Sequence, residues 1–174
     1  MEQEVKATEG GEKRTVRRTA WLLGGVGIGI GVCALGIFLV MPTMMLKVHQ
    51  SRYDTVQRTC EALQTAISQE GWSSPRVRKT TKSIAKHGQN LLREVRIVEL
   101  CNAEYAKRVL TDHPEVSTLM PCAWGVYEGD DGNVYISGMN MGLMGKMFGG
   151  TIAEVMGGHV AEDEHEMLSG VIAQ

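Results

Sequence analysis

Two cysteines, Cys101 and Cys122, are the first candidates for chemistry in this chain. Cys101 closes one β-type run, Glu94–Leu100, and Cys122 opens another, Cys122–Glu128. If those strand ends are neighbours, the sulfurs can approach within bonding distance, which requires Cα atoms roughly 4.4–6.8 Å apart. Three readings stay open: two buried thiols, a disulfide or redox pair, and a metal or cofactor site. The other two cysteines, Cys33 in an apolar run and Cys60 on a helix face, read as inert packing residues, since free cysteine is among the most buried residue types. No C-x-x-C pair occurs, so zinc-ribbon and thioredoxin-type sites have no support.

A second cluster is made of thioethers. Met139, Met141, Met144 and Met147 fall within one nine-residue window, M-N-M-G-L-M-G-K-M. Clustered thioether sulfur is a soft donor set for Cu(I). The same residues, interleaved with Gly142, Gly145, Gly149 and Gly150, also suit a flexible apolar surface that docks on lipid or on a partner. Docking is the better reading. Leu143, Met144, Met147 and Phe148 recur at i, i+1, i+4 and i+5 on one helical face, with Lys146 on another. Glycine costs about 1 kcal/mol within a helix, so the segment is expected to keep its glycines for close approach by a docking partner.

The remaining polar clusters have bland readings. His159 and His165 with Glu162, Asp163, Glu164 and Glu166 lack a metal-ligand spacing such as H-E-x-x-H and read as a solvated helix face. Arg76, Arg78, Lys79, Lys82 and Lys86 form a basic stretch that either faces anionic headgroups or is simply solvated. The pair Gly145-Lys146 lacks the spacing and hydroxyl of a phosphate loop. No Ser-His-Asp or paired-carboxylate arrangement can be named, so no catalytic residue, metal ligand or cofactor is assigned. A net charge of −2 argues against a nucleic-acid partner, which needs a broad basic face.

The elements that must position these residues begin with a tether. No charged residue occurs from Ala20 to Leu46, and Ala20–Met41 is 22 residues long. As a helix it would cover about 33 Å, enough for the ~30 Å hydrocarbon core. A cleaved signal peptide would have a shorter apolar core and a small-x-small exit, whereas this run leaves through Val40, Met41 and Pro42. Residues 1–19 are expected to be a disordered charged tail and 20–42 a single transmembrane helix in contact with the lipid bilayer. Gly25 and Gly29, or Gly27 and Gly31, have the spacing for close helix association in lipid. Lys13, Arg14, Arg17 and Arg18 outnumber the basic residues beyond the span, which places the following domain on the extracytoplasmic side of the cell membrane.

Beyond the tether, Met45–Gln50 alternates as a strand. Asp54 can cap a helix whose apolar face is Tyr53, Val56, Cys60, Leu63 and Ile67, and Gly71 can end it. A second helix is expected over Thr80–His87 and a strand over Glu94–Leu100. Asn102 then caps the helix Ala103–Thr111, and Pro114 can open a short turn. Cys122–Glu128 and Asn133–Ser137 flank Gly129-Asp130-Asp131-Gly132, a hairpin expected to turn through a type I′ Asp131-Gly132 pair. A last helix is expected over Ala161–Ile172, with Leu168 and Ile172 inward.

Several of these stretches carry a resemblance. Val98-Glu99-Leu100-Cys101-Asn102 with Tyr105-Ala106, Met120-Pro121-Cys122 with Val126-Tyr127-Glu128, and Asp131-Gly132 with Val134-Tyr135-Ile136 together resemble the bacterial and archaeal domain of unknown function 302 family. Met144-Gly145-Lys146-Met147-Phe148-Gly149-Gly150 with Ala153-Glu154-Val155-Met156 resembles a membrane-associated branch of it. The resemblance implies an α+β fold, a small antiparallel sheet with helices packed on one face, similar to the TATA-binding-protein-like class. It implies no reaction. Where many relatives carry His-Asp after the Gly-Trp, this chain has Arg76–Lys79, and where many have Arg after the Pro-Cys, Ala123 stands here. A site built on that His or Arg is not expected in this protein.

The sequence thus reads as four segments: the tail 1–19, the transmembrane helix 20–42, the α+β domain 45–156 and a helical extension 157–174. The function expected is that of a single-pass, membrane-anchored binding or assembly module, an accessory subunit near a membrane complex, with a membrane protein or a second copy as partner. The alternative is a thiol- or metal-linked redox protein using Cys101 and Cys122.

Overall fold

The structure is a computed structural model that describes residues 29–36, 39–41 and 43–173. By compactness the chain divides into two units, Met1–Thr43 and Met44–Gln174. In the first, residues 29–36 and 39–41 are helical. The expected tail 1–19, and much of the expected span 20–42, lie outside the described residues. Among the described residues no helix is long and apolar enough to cross a membrane.

The second unit grows from a hairpin. Strands β4 (Cys122–Glu128) and β5 (Val134–Met139) pair antiparallel, and Gly132 has φ +78°. No non-glycine residue has positive φ among the described residues, so Asp131 does not adopt the conformation that type I′ requires. Instead the Gly132 N–H donates to the Gly129 carbonyl at 3.2 Å and the left-handed residue follows the turn. This is the arrangement of a three-residue loop, a type I turn closed by a glycine bulge. The Asp131 carboxylate accepts from the Asn133 N–H (3.1 Å), the Asn133 side-chain amide (2.7 Å) and the Tyr135 hydroxyl (2.7 Å). Those bonds, the Asn133 side chain's first, hold the carboxyl below its ordinary range.

Strands β1 (Leu46–Gln50), β2 (Val77–Lys79) and β3 (Val95–Leu100) complete a five-stranded antiparallel sheet in the order β1-β5-β4-β3-β2. Alternation assigns its faces. Val98, Leu100, Cys122, Trp124, Val126, Val134 and Ile136 are buried on one side, beneath the helices. Gly138 belongs to that side because a Cβ there would sit 2.7 Å from the Trp124 ring. Register then places Lys47 and His49 on the helix side, opposite Gly138 and Ile136. Leu46 and Val48 fall on the open face at 58% and 53% exposure, so the apolar alternation of this edge strand points outward.

Helix α1 (Val56–Gln69) lays Val56, Cys60, Leu63 and Ile67 on the sheet. Its cap is Thr55, whose side chain accepts from the Arg58 N–H, while Asp54 pairs with Arg58 at 3.2 Å. Gly71, with φ +74°, turns the chain out of it. The short helix α2 (Thr80–Ala85) precedes β3, and α3 (Ala103–Asp112) follows it, capped by Asn102 through the N–H groups of Glu104 and Tyr105. Pro114–Leu119 is a 3₁₀ turn. After β5 come α4 (Met141–Phe148), α5 (Gly150–Glu154), a π-helical turn (Val155–Val160) and α6 (Ala161–Ser169). Residues 157–174 add Val160, Met167 and Val171 to the same core. The acidic run is not wholly a solvated face, because Glu164 is buried at 6% exposure. Leu168 and Ile172 are only partly buried, and the inward positions are Glu164, Met167 and Val171.

Candidate functional site

The strand pairing brings Leu100 opposite Cys122, so Cys101 lies one residue beyond the end of that ladder. Neither cysteine is in a disulfide. Both line one cavity with Trp72, Tyr105, Met120 and Met156, and its volume of about 20 Å³ leaves room for a single water. Burial pushes the Cys122 thiol up to about 12, with the charge of Glu164 and then Cys101 adding to it. A thiol in that state stays protonated at neutral pH and is a poor nucleophile. Cys60 is similarly buried under α1, with its thiol raised by burial to about 11, as a packing residue should be.

Around the cavity stands a group whose members the sequence did not bring together. The Trp72 indole N–H donates to the Asp163 carboxylate at 2.9 Å, and its ring meets Tyr105 edge-on at 5.7 Å. Tyr105 in turn stacks on His159 at 5.7 Å. Burial first, and then the Asp163 charge beside it, hold the Tyr105 hydroxyl above its ordinary value. Trp72 and Tyr105 flank α1 and open α3, whereas His159 and Asp163 come from the acidic run. Tyr105 stands in the family resemblance and His159 and Asp163 in the acidic cluster, but the one signal of their contact is the Trp72 indole, which needs a partner when buried.

Glu164 completes the buried polar set. Burial, partly offset by Lys47 and by the Trp124 indole, pushes its carboxyl up to about 7. Glu99 is also buried, at 5% exposure, and is met by Arg76 at 3.1 Å and Arg78 at 2.9 Å. Two of the basic residues read as either headgroup-facing or solvated, Arg76 and Arg78, therefore pair with a carboxylate of β3. Among the described residues no group of three or more His, Cys, Asp or Glu side chains could hold a metal ion.

The other feature is a groove of about 190 Å³ lined by Met45, Leu119, Met139, Asn140, Leu143, Met144, Met147 and Phe148. The four residues read as a docking face thus share one groove. Met144 is buried, Leu143 is partly so, and Met147 and Phe148 are 52% and 56% exposed. Asn140 builds the site by accepting from the Leu143 N–H at 3.2 Å and donating through its side chain to the Met44 carbonyl at 3.0 Å. Small-molecule pockets run to about 300–1,000 Å³, so this groove fits a surface contact better than an enclosed ligand. The glycines have internal explanations. A Cβ on Gly145 would lie 2.6 Å from the Gly157 Cα, and Gly149 and Gly150 take positive φ in the link from α4 to α5.

A five-stranded antiparallel sheet with helices on one face, a small thiol-lined cavity and a larger apolar groove define a small α+β module. The chain belongs to the family described as a domain of unknown function, DUF302, whose model matches residues 47–174. It is similar to the crystal structure of an uncharacterized conserved DUF302 protein from Bacillus stearothermophilus, at TM-score 0.64 and 21% identity, over 72% of this chain and 97% of that one. At that identity the likeness speaks to the fold. No curated protein matches the sequence.

Proposed function

We propose that this chain is a membrane-tethered binding or assembly module of the DUF302 family, an accessory subunit of a membrane complex. Residues 20–42 are its anchor, and the α+β unit lies on the extracytoplasmic side. One observation carries the reading. The charge-free run from Ala20 to Leu46 continues into described helical residues whose apolar side chains are exposed: Ile30 and Leu39 at 65%, Leu35 at 58%, Val40 at 52%. Apolar side chains left in water at that density are unfavourable by about 25 cal/mol per Å², and a bilayer removes the penalty. The experiment is membrane fractionation with protease treatment. The full chain should stay with membranes through alkaline carbonate, and protease added to intact spheroplasts should digest the α+β unit. A chain released by carbonate contradicts the anchor, and protection of the unit in intact spheroplasts contradicts the orientation.

A second reading, the thiol-linked redox protein, is favoured by the cavity that Cys101 and Cys122 share. The protonated state of Cys122 weighs against it. Alkylation before and after reduction decides: two further labels on the pair after reduction support a redox disulfide, and unchanged labelling excludes one.

A further inference from the structure

Resting on the tether reading, we infer that the groove along α4 is seated in the lipid interface, with Met147 and Phe148 entering the boundary between headgroups and acyl chains. Chain length gives the first reason. Only two residues, the helical Thr43 and Met44, separate Pro42, where the expected span 20–42 ends, from Met45, which lines the groove. Three residue steps span no more than about 11 Å, so a span that leaves the bilayer at Pro42 holds Met45 at its surface. Asn140 then fixes α4 to that point, because its N–H donates to the Met45 carbonyl at 2.8 Å and its side chain to that of Met44.

Composition gives the second. None of the eight groove residues is charged, and the one polar member, Asn140, is already used as the cap of α4. Protein partners usually meet a polar rim with several hydrogen bonds, whereas hydrocarbon asks for none. Met44 (54%), Met45 (43%), Met147 (52%) and Phe148 (56%) are all exposed there, and methionine side chains adapt to a fluid surface. The only charge between Met139 and Gly150 is Lys146, exposed beside them, which suits the headgroup phosphates of an anionic lipid. Interfacial helices sit with their apolar side about 5–10 Å into this boundary, a depth the short link permits.

The sheet register supplies an internal control. Leu46 pairs with Met139 at the groove end, whereas Val95 pairs with Tyr127 near the hairpin, so Leu92, fully exposed just before β3, lies toward the other end. The test reconstitutes the full chain in phosphatidylcholine–phosphatidylglycerol vesicles carrying bromine near the headgroup end of one acyl chain. Emission of Phe148→Trp and of Leu92→Trp is read as the difference from the unsubstituted chain with its three tryptophans. Both positions are exposed and tolerate the exchange, and Met147→Trp serves as a second reporter. Bromolipid should quench the Trp at 148 and at 147 and leave that at 92 unaffected. If the chain floats with the vesicles and 148 is no more quenched than 92, the lipid contact is wrong while the tether stands. A blue-shifted but unquenched signal at 148 would show the groove covered by protein, another copy or a partner, and would overturn the inference equally. A chain that fails to float removes the tether reading and this inference together.

Discussion

Exchanging Glu164 for Gln is expected to stabilise the α+β unit at pH 8 by about 3 kcal/mol and to remove the loss of stability that ionisation of Glu164 contributes between pH 4.5 and 7. Glu164 is 6% exposed beneath the sheet, facing Trp124, the Cys122 thiol and, from β1, Lys47. Its carboxyl is raised from an ordinary 4.5 to about 7, by burial above all. Between those two values the folded chain keeps a proton that the unfolded chain has already released. Raising the pH through that window therefore costs stability, and above it the cost stays constant. A shift of this size corresponds to about 3 kcal/mol, near 10 °C of melting midpoint for a domain this small. Gln keeps the shape of the protonated acid and cannot ionise. Thermal melts of both chains at pH 4.5 and pH 8 check this. The two should agree at the acid end and separate at the alkaline end, and parallel profiles would mean that Glu164 ionises without penalty.

The second large effect is expected at Gly145, where Val should lower stability by about 3 kcal/mol. The atoms that a Cβ would meet, Gly157 Cα at 2.6 Å and Gly157 N at 2.7 Å, are backbone and cannot rotate away. Helix α4 would have to lift from the π-helical turn, exposing part of the Met144, Val155 and Met156 packing. Replacing glycine within a helix ordinarily gains up to about 1 kcal/mol, so the clash wins by its size. Gly142, three residues earlier on the same helix, isolates the steric cause. Its nearest atom to a new Cβ is the Asn140 Oδ1 at 3.7 Å, and Gly142→Ala should be neutral or slightly stabilising. Melting midpoints of the two variants test the pair, and an unchanged Gly145→Val chain would show that the two backbones do not touch.

These two sites also mark where the sequence stops being legible. Local chemistry was readable: the apolar face of α1, the Asn102 cap, the positive φ of Gly71 and the hairpin all follow from neighbours within a few residues. The type of the hairpin turn was not, because Asp-Gly serves two loops that differ by one residue in length. The Gly145–Gly157 contact joins positions twelve apart through a π-helical turn that carries no sequence signal, and it makes Gly145, read as a docking feature, a packing residue. Glu164 sits in Glu-Asp-Glu-His-Glu, where composition says surface, yet its helix presents that one carboxyl to the core beside Met167. Leu46 and Val48 show the converse. Alternation is visible in β1, but its sign depends on which side the helices cover, and the covered side is that of Lys47 and His49. At the thiol cavity, the positions of Cys101 and Cys122 were legible as strand ends. The wall of Trp72, Tyr105, His159 and Asp163 was not, because its members come from three separate places in the chain.

The central claim is that residues 20–42 hold this DUF302 unit at a bilayer. Density-gradient flotation with lipid vesicles, comparing the full chain with one lacking residues 20–42, tests it most directly. The full chain should rise with the vesicles and remain with them in high salt, because a buried apolar span is not screened as charges are. The shortened chain, left with only the groove for contact, should stay largely in the dense fraction. If the full chain remains there as well, the anchor is contradicted.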